Sequence, residues 1–190
     1  MKDNGKLNKI IDGCLQQKRK HQEELFKIFY GKMLGVSMRY TNDQDTAREI
    51  VQTSFIKVFE KLNLFDNKGN FEAWLKRIVI NTAIDHIRKT KKNPYVNDLN
   101  EDYSLANKEE DTYQEEEIQL AELKNELIIK AIQCLSPAYQ TVFNLYVIED
   151  YTHKEIAEML NISEGTSKSN LSKAKVNLQK ILRNDFMNLE

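Results

Sequence analysis

The chain has 190 residues, with 28 lysines and arginines against 29 aspartates and glutamates, for a formal net charge of −1. That length holds one ordinary domain or two small helical ones. No apolar run suits a signal sequence or approaches transmembrane length, so a cytoplasmic protein with no direct membrane insertion is expected.

Almost every periodic segment has the helical period and strand alternation is absent, which predicts an all-α protein. Helices are expected at about 7–17, 20–40, 44–62, 70–92, 117–134, 137–148, 153–160 and 164–184. Cys14 and Cys134 stand alone in helical apolar contexts, so two reduced thiols are expected rather than a disulfide. His21, His86 and His153 are scattered without metal-site spacing, and neither a metal nor a cofactor is expected.

In the third helix Ala47, Ile50, Val51, Ser54, Phe55, Val58 and Leu62 share one broad face, which reads as core. Glu49, Gln52, Thr53, Ile56 and Glu60 form the opposite stripe. Ile56, apolar in the middle of a polar stripe, hints at a protein partner, although single exposed apolar side chains are common. After it, the loop Asn63–Asn70 (NLFDNKGN) contains Asn67, Lys68 and Asn70. Such loops can cup an extruded base, and they also serve simply to join helices.

The fourth helix carries Arg77, Asn81, Ile84, Arg88 and Lys91 along one stripe, with Trp74 and Asp85 at its edge. Cations that track phosphates, beside an amide that can read a base edge, suit unstacked nucleic acid. Trp74 could offer a stacking surface or serve as a core anchor. Pro94 closes this helix, because proline disfavours helix in the residue before it. The stretch Asn97–Glu117 is acidic and short of large aliphatics, which predicts a flexible linker between two basic surfaces. The expected organisation is a helical domain at 1–95, a linker at 96–116 and a second helical domain at 117–190.

The second domain opens with Ser136-Pro137, an N-cap followed by a proline at the first helical position. Tyr151–Leu178 then reads as a helix-turn-helix. Thr152 and Glu155 form a T-x-x-E capping box, Asn161-Ile162-Ser163 makes the turn, and Ser163 caps the second helix. That helix sets Ser167, Leu171, Ala174, Leu178 and Ile181 inward. Thr166, Ser169, Ser172 and Lys173 lie opposite, flanked by Lys168 and Asn170, as suits base edges and phosphates.

Three motifs in this order carry a resemblance: AREIVQTSFIKVF at Ala47–Phe59, FEAWLKRIVINTAIDHIRK at Phe71–Lys89, and the helix-turn-helix. Together they resemble the sigma-70 family of RNA polymerase sigma factors, and within it the small extracytoplasmic-function (ECF) group. The resemblance covers roughly Glu23–Lys92 and Ile118–Ile181. It implies that Glu49, Gln52, Thr53, Ile56 and Glu60 dock on the clamp coiled coil of the polymerase's largest subunit. Asn67, Lys68, Asn70, Arg77, Asn81, Arg88 and Lys91 would melt and read the −10 element, with Trp74 mainly in the supporting core. Thr166, Lys168, Ser169, Asn170, Ser172 and Lys173 would read the −35 element, from a module that also contacts the polymerase flap.

The chain departs from the family pattern at Arg48-Glu49, where an acidic pair is common, and at Gln140, where arginine is frequent. Ser167 and Asn170 stand where valine and arginine are usual. The resemblance further implies core polymerase, promoter DNA and an anti-sigma factor as partners. A conventional helix-turn-helix regulator, binding an operator without polymerase, would leave the two upstream stripes without a role. An enzyme is not expected, since no nucleophile–base pair, metal spacing or phosphate-cradling glycine loop is present.

Overall fold

A computed structural model describes residues 3–66, 69–90 and 127–187. Among these residues every regular element is helical. The order is α1 (Asp3–Leu15), α2 (Arg19–Met38), α3 (Gln44–Lys61), a short 3₁₀ turn (Leu62–Leu64) and α4 (Phe71–Thr90). Helix α5 (127–133), α6 (Pro137–Phe143), a single π turn (Asn144–Ile148), α7 (His153–Leu160) and α8 (Glu164–Met187) follow. The chain divides into two compact units, Met1–His86 and Ile87–Glu190. The expected linker at 96–116, together with Pro94, lies outside the described residues.

In the first unit α1 and α3 both pack on α2. Asp43 starts α3 by accepting the Thr46 N–H at 2.8 Å, and this hydrogen bond holds its carboxyl below the usual carboxylate range. Every residue assigned to the inward face of α3 is buried, from Ala47 to Leu62. Ser54 satisfies its buried hydroxyl on the Ile50 carbonyl at 2.6 Å. Lys57 of α3 reaches α4 by donating to Thr82 Oγ1 at 3.2 Å, with Asp85 Oδ2 at 3.7 Å. The start of α4 is held by rings: Phe71 lies 5.5 Å from Phe29 and 5.2 Å from Phe65, between ring centroids.

In the second unit Pro137 takes the first helical position of α6, after Ser136 at the N-cap. The predicted helix to residue 148 instead widens at Asn144, where the Glu149 N–H reaches back five residues to the Asn144 carbonyl at 3.0 Å. This wider turn buries Leu145 and leaves Tyr146 and Val147 exposed. The capping box forms as expected: Thr152 N–H donates to Glu155 Oε2 at 2.8 Å, and Glu155 N–H returns to Thr152 Oγ1 at 3.3 Å. Asn161 ends α7 in the left-handed region at φ 55°, which asparagine tolerates better than most residues. Ser163 Oγ accepts the Thr166 N–H at 2.9 Å and so caps α8.

Neither cysteine is in a disulfide. Burial, with the nearby charge of Glu24, pushes the Cys14 thiol up to about 11. Below that value it stays protonated and a poor nucleophile. In the native protein at pH 8, iodoacetamide should modify the exposed Cys134 first, with Cys14 reacting only in denaturant, as mass spectrometry of the labelled peptides would show. A second prediction concerns Gly13 of α1, on which the His21 ring sits so closely that an added Cβ would collide with it. Gly13→Ala should destabilise the first unit, because overpacking costs about 1–3 kcal/mol against the ~1 kcal/mol of helix propensity alanine returns. Urea unfolding followed by the fluorescence of Trp74 reads that change, and His21→Ala in the same background should restore much of it.

Candidate protein and nucleic-acid interfaces

Three surfaces collect the residues singled out from the sequence. On α3, Glu49, Gln52, Thr53, Ile56 and Glu60 are all exposed, with Ile56 at 60%. They fall on one stripe because the opposite stripe is consumed by packing on α2. Arg48, beside them, is held by Asp45 at 3.0 Å.

The second surface is the loop before α4 together with the outward face of α4. Phe65 and Phe71 close the two ends of the loop, and Trp74 packs on both at 5.4 Å and 5.7 Å. Trp74 is therefore half-buried support rather than an open stacking plate. Asn70 is exposed, but its Oδ1 accepts the Glu72 and Ala73 amides at 2.9 Å and 3.3 Å. That oxygen is the N-cap of α4, which leaves the amide NH₂ as the group able to meet a base. Arg77, Asn81 and Arg88 are exposed along α4. Ile84, placed with them by angle, is instead 2% exposed and belongs to the core. It sits at the edge of the stripe, next to the buried Ala83 and Ile80, and an aliphatic side chain there turns inward. Asn67, Lys68 and Lys91 lie outside the described residues.

A cleft of about 690 Å³ adjoins this loop, lined by Lys6 and Asn8 of α1, Ile28 and Lys32 of α2, and Asn70. At its rim Lys32 pairs with Glu72 at 2.8 Å. Nothing in the local sequence pattern marked these α1 residues, because the cleft is made only when α1 folds across α2.

The third surface is the outward face of α8. Lys168, Ser169, Ser172 and Lys173 are exposed. Lys173 Nζ also lies 5.9 Å from the centroid of the Tyr139 ring, a cation–π distance. Thr166 is half-exposed, with its hydroxyl 2.9 Å from Ser163 Oγ. Asn170 is a correction: it was placed at the flank of the DNA-facing stripe, but it is 7% exposed. One turn before Ala174 and three residues after Ser167, it joins their inward run, and its Nδ2 has no partner among the described residues.

Sequence reasoning missed His153 on this module. Its ring stacks on Tyr146 at 4.4 Å, and its Nδ1 lies 2.9 Å from Ser167 Oγ. Ser167, a hydroxyl at a core-facing position, was the signal that a polar partner had to be found.

Sigma-70 region 2 matches residues 25–93, and sigma-70 region 4 matches residues 125–178. The ECF RNA polymerase sigma factor SigW of Bacillus subtilis is 29% identical over 93% of this chain and 99% of its own length. RNA polymerase sigma-H factor of Pseudomonas aeruginosa is 28% identical over 80% of this chain and 81% of its own. Among solved structures, the sigma factor RpoE from Bartonella quintana, in complex with the anti-sigma factor NepR, shares the fold at a TM-score of 0.52. It is 22% identical, over 85% of this chain and 96% of that one. CnrH in complex with the cytosolic domain of CnrY aligns at a TM-score of 0.50 and 16% identity, over 93% and 96% of the two chains. Matched over two regions in family order, this chain belongs to the sigma-70 family as an ECF RNA polymerase sigma factor, which directs promoter-specific transcription initiation.

Proposed function

We propose that the two expected domains divide promoter recognition between them. In this reading residues 1–95 bind the polymerase clamp and open the −10 element, residues 96–116 are the linker, and residues 117–190 read the −35 element and contact the flap. The observation that carries it is the exposed Arg77, Asn81 and Arg88 on α4, a polar and cationic face on a helix outside the helix-turn-helix. An operator-binding regulator has no use for that second surface.

The Glu49, Gln52, Thr53, Ile56 and Glu60 stripe is the polymerase contact, with Ile56 as its apolar centre. Asn70, Arg77, Asn81 and Arg88, with Asn67, Lys68 and Lys91, hold the melted −10 strand. Thr166, Lys168, Ser169, Ser172 and Lys173 meet the −35 duplex, where the lysines grip phosphates and the hydroxyls approach base edges. Asn170 supports α8 from within. Each unit alone binds DNA weakly, and tethering multiplies the two contacts through effective concentration.

The protein itself performs no chemical step; the bond-forming work belongs to the polymerase. It acts in the cytoplasm, and no helix among the described residues is long and apolar enough to cross a membrane. The sigma factor RpoE of Bartonella quintana was solved in complex with the anti-sigma factor NepR; by that likeness an anti-sigma protein is a further partner, one that would compete for the same surfaces.

Two substitution sets test the division of labour. Gln52→Ala with Ile56→Ala should weaken binding to core polymerase by tenfold or more, since burying one aliphatic side chain is worth about 1.5–3 kcal/mol. Arg77→Ala with Arg88→Ala should leave polymerase affinity intact, while permanganate reactivity of the −10 thymines and runoff transcription fall. The promoter for these assays comes from sequencing the start sites made by core polymerase with this factor on genomic DNA. Equal loss of polymerase binding in both sets would defeat the assignment.

A further inference from the structure

We propose that His153 and Ser167 form a positioning pair that holds the recognition helix α8 in register against α7, and that adding a proton to His153 releases it. The consequence for transcription rests on α8 being the −35 helix; the contact itself does not.

Three elements meet on this imidazole. His153 is the first residue of α7, directly after the N-cap Thr152 and within the capping box, so its backbone is locked in place. One face of its ring stacks on Tyr146 of the π turn, with an interplanar angle of 21°. Its Nδ1 meets Ser167 Oγ at 2.9 Å, and Ser167 is fully buried on the inner side of α8. Ser54 and Thr82 tie their hydroxyls back to the carbonyl four residues earlier. Ser167 does not; among the described residues its hydroxyl partner is His153. In the proposed pair the hydroxyl donates to the imidazole lone pair, which requires the neutral tautomer with hydrogen on Nε2. A proton on Nδ1 reverses that bond and strands the hydroxyl hydrogen of Ser167 in a buried position, at the cost of an unsatisfied donor unless α8 readjusts.

The surroundings favour the neutral ring. Burial is the largest influence against the imidazolium, followed by Lys168 and, more weakly, Lys175 of α8, while Glu164 opposes them. The positive N-terminal end of α7 acts in the same direction as the lysines. Asp150 and Tyr151 share the cleft with Tyr146 and His153, and Lys154 and Glu155 follow His153 in sequence on α7. The net result holds His153 below its ordinary value. An unfolded imidazole titrates near 6.5. Between that value and the lower folded one, the unfolded chain binds more protons. The stabilisation is thus full above about 6.5 and is lost as pH falls below it.

The test uses the full-length chain, labelled for NMR and titrated from neutral to acidic pH. His153 should titrate below the free imidazole, and Ser167→Ala should move it upward. In the wild type the amides of Lys168 and Ser169 should follow the same curve, and in Ser167→Ala they should not. His153→Phe keeps the stack on Tyr146 without a titrating group. The ratio of wild-type to His153→Phe runoff transcription, taken at each pH, should be constant above neutrality and fall several-fold as the pH drops through the His153 transition. Amides of α8 that ignore the His153 titration, or follow it equally in Ser167→Ala, would overturn the pair. Linked amides with a flat transcription ratio would overturn the release. If the wild type supports no transcription with core polymerase, the sigma assignment fails instead, and the NMR titration still decides the pair.

Discussion

Phe71 is the contact on which the head of α4 and the loop before it depend. It opens α4, is 4% exposed, and touches Phe29 of α2, Phe65 at the loop entrance and Trp74 one turn on. Burying such a ring contributes about 1.5–3 kcal/mol, and each aromatic pair adds roughly 0.5–1.5 kcal/mol beyond area. More important than the energy is the geometry. Phe65 and Phe71 bring the loop ends together, and Asn70 caps the helix that follows. The face of α4 bearing Arg77 and Asn81 is thereby fixed within the folded first unit, and under the proposed role little ordering would remain to be done on binding.

The second unit solves the same problem with polar contacts. Both α7 and α8 begin at side-chain caps, Thr152 with Glu155 and Ser163 with Thr166. Caps fix where a helix starts but leave its rotation to packing. On α8 that rotation is set by a mixed inner face, in which Ser167 and Asn170 stand among Leu171, Ala174 and Leu178. Polar residues inside a helix contact add little adhesion and much discrimination, since each needs a partner at one geometry. The near-neutral net charge is no obstacle to DNA binding. Under the proposed assignment, promoter contacts would draw on the local field of Lys168 and Lys173 or of Arg77 and Arg88, whereas the acidic residues 97–117 are counted in the sum but sit elsewhere in sequence.

Much of this architecture was legible in the chain. Helix angles alone sorted α3 into an inward set that is buried and an outward set that is exposed, because one helix face repeats every three to four residues. The T-x-x-E box, the asparagine turn and the serine cap were equally readable, since each is completed within four residues. Errors gathered at the borders of faces. Ile84 and Asn170 lie at angles from which a side chain can turn either way, and the neighbouring helix decides. Asn70 was assigned to the −10 contact by the resemblance, and the folded chain adds a second use for its oxygen, as the cap at the head of α4.

Periodicity and composition were thus sufficient for an all-helical chain, and three sequence motifs carried the resemblance to its family. These features depend on residues close together in sequence. The widened turn at Asn144, the α1-lined cleft and the His153–Ser167 contact came only from the folded chain. The cleft and the contact join residues from separate helices, and a side chain's partner is settled by which helix packs beside it, a relation that spacing along one helix does not contain; the turn is a five-residue backbone step that helical periodicity does not mark.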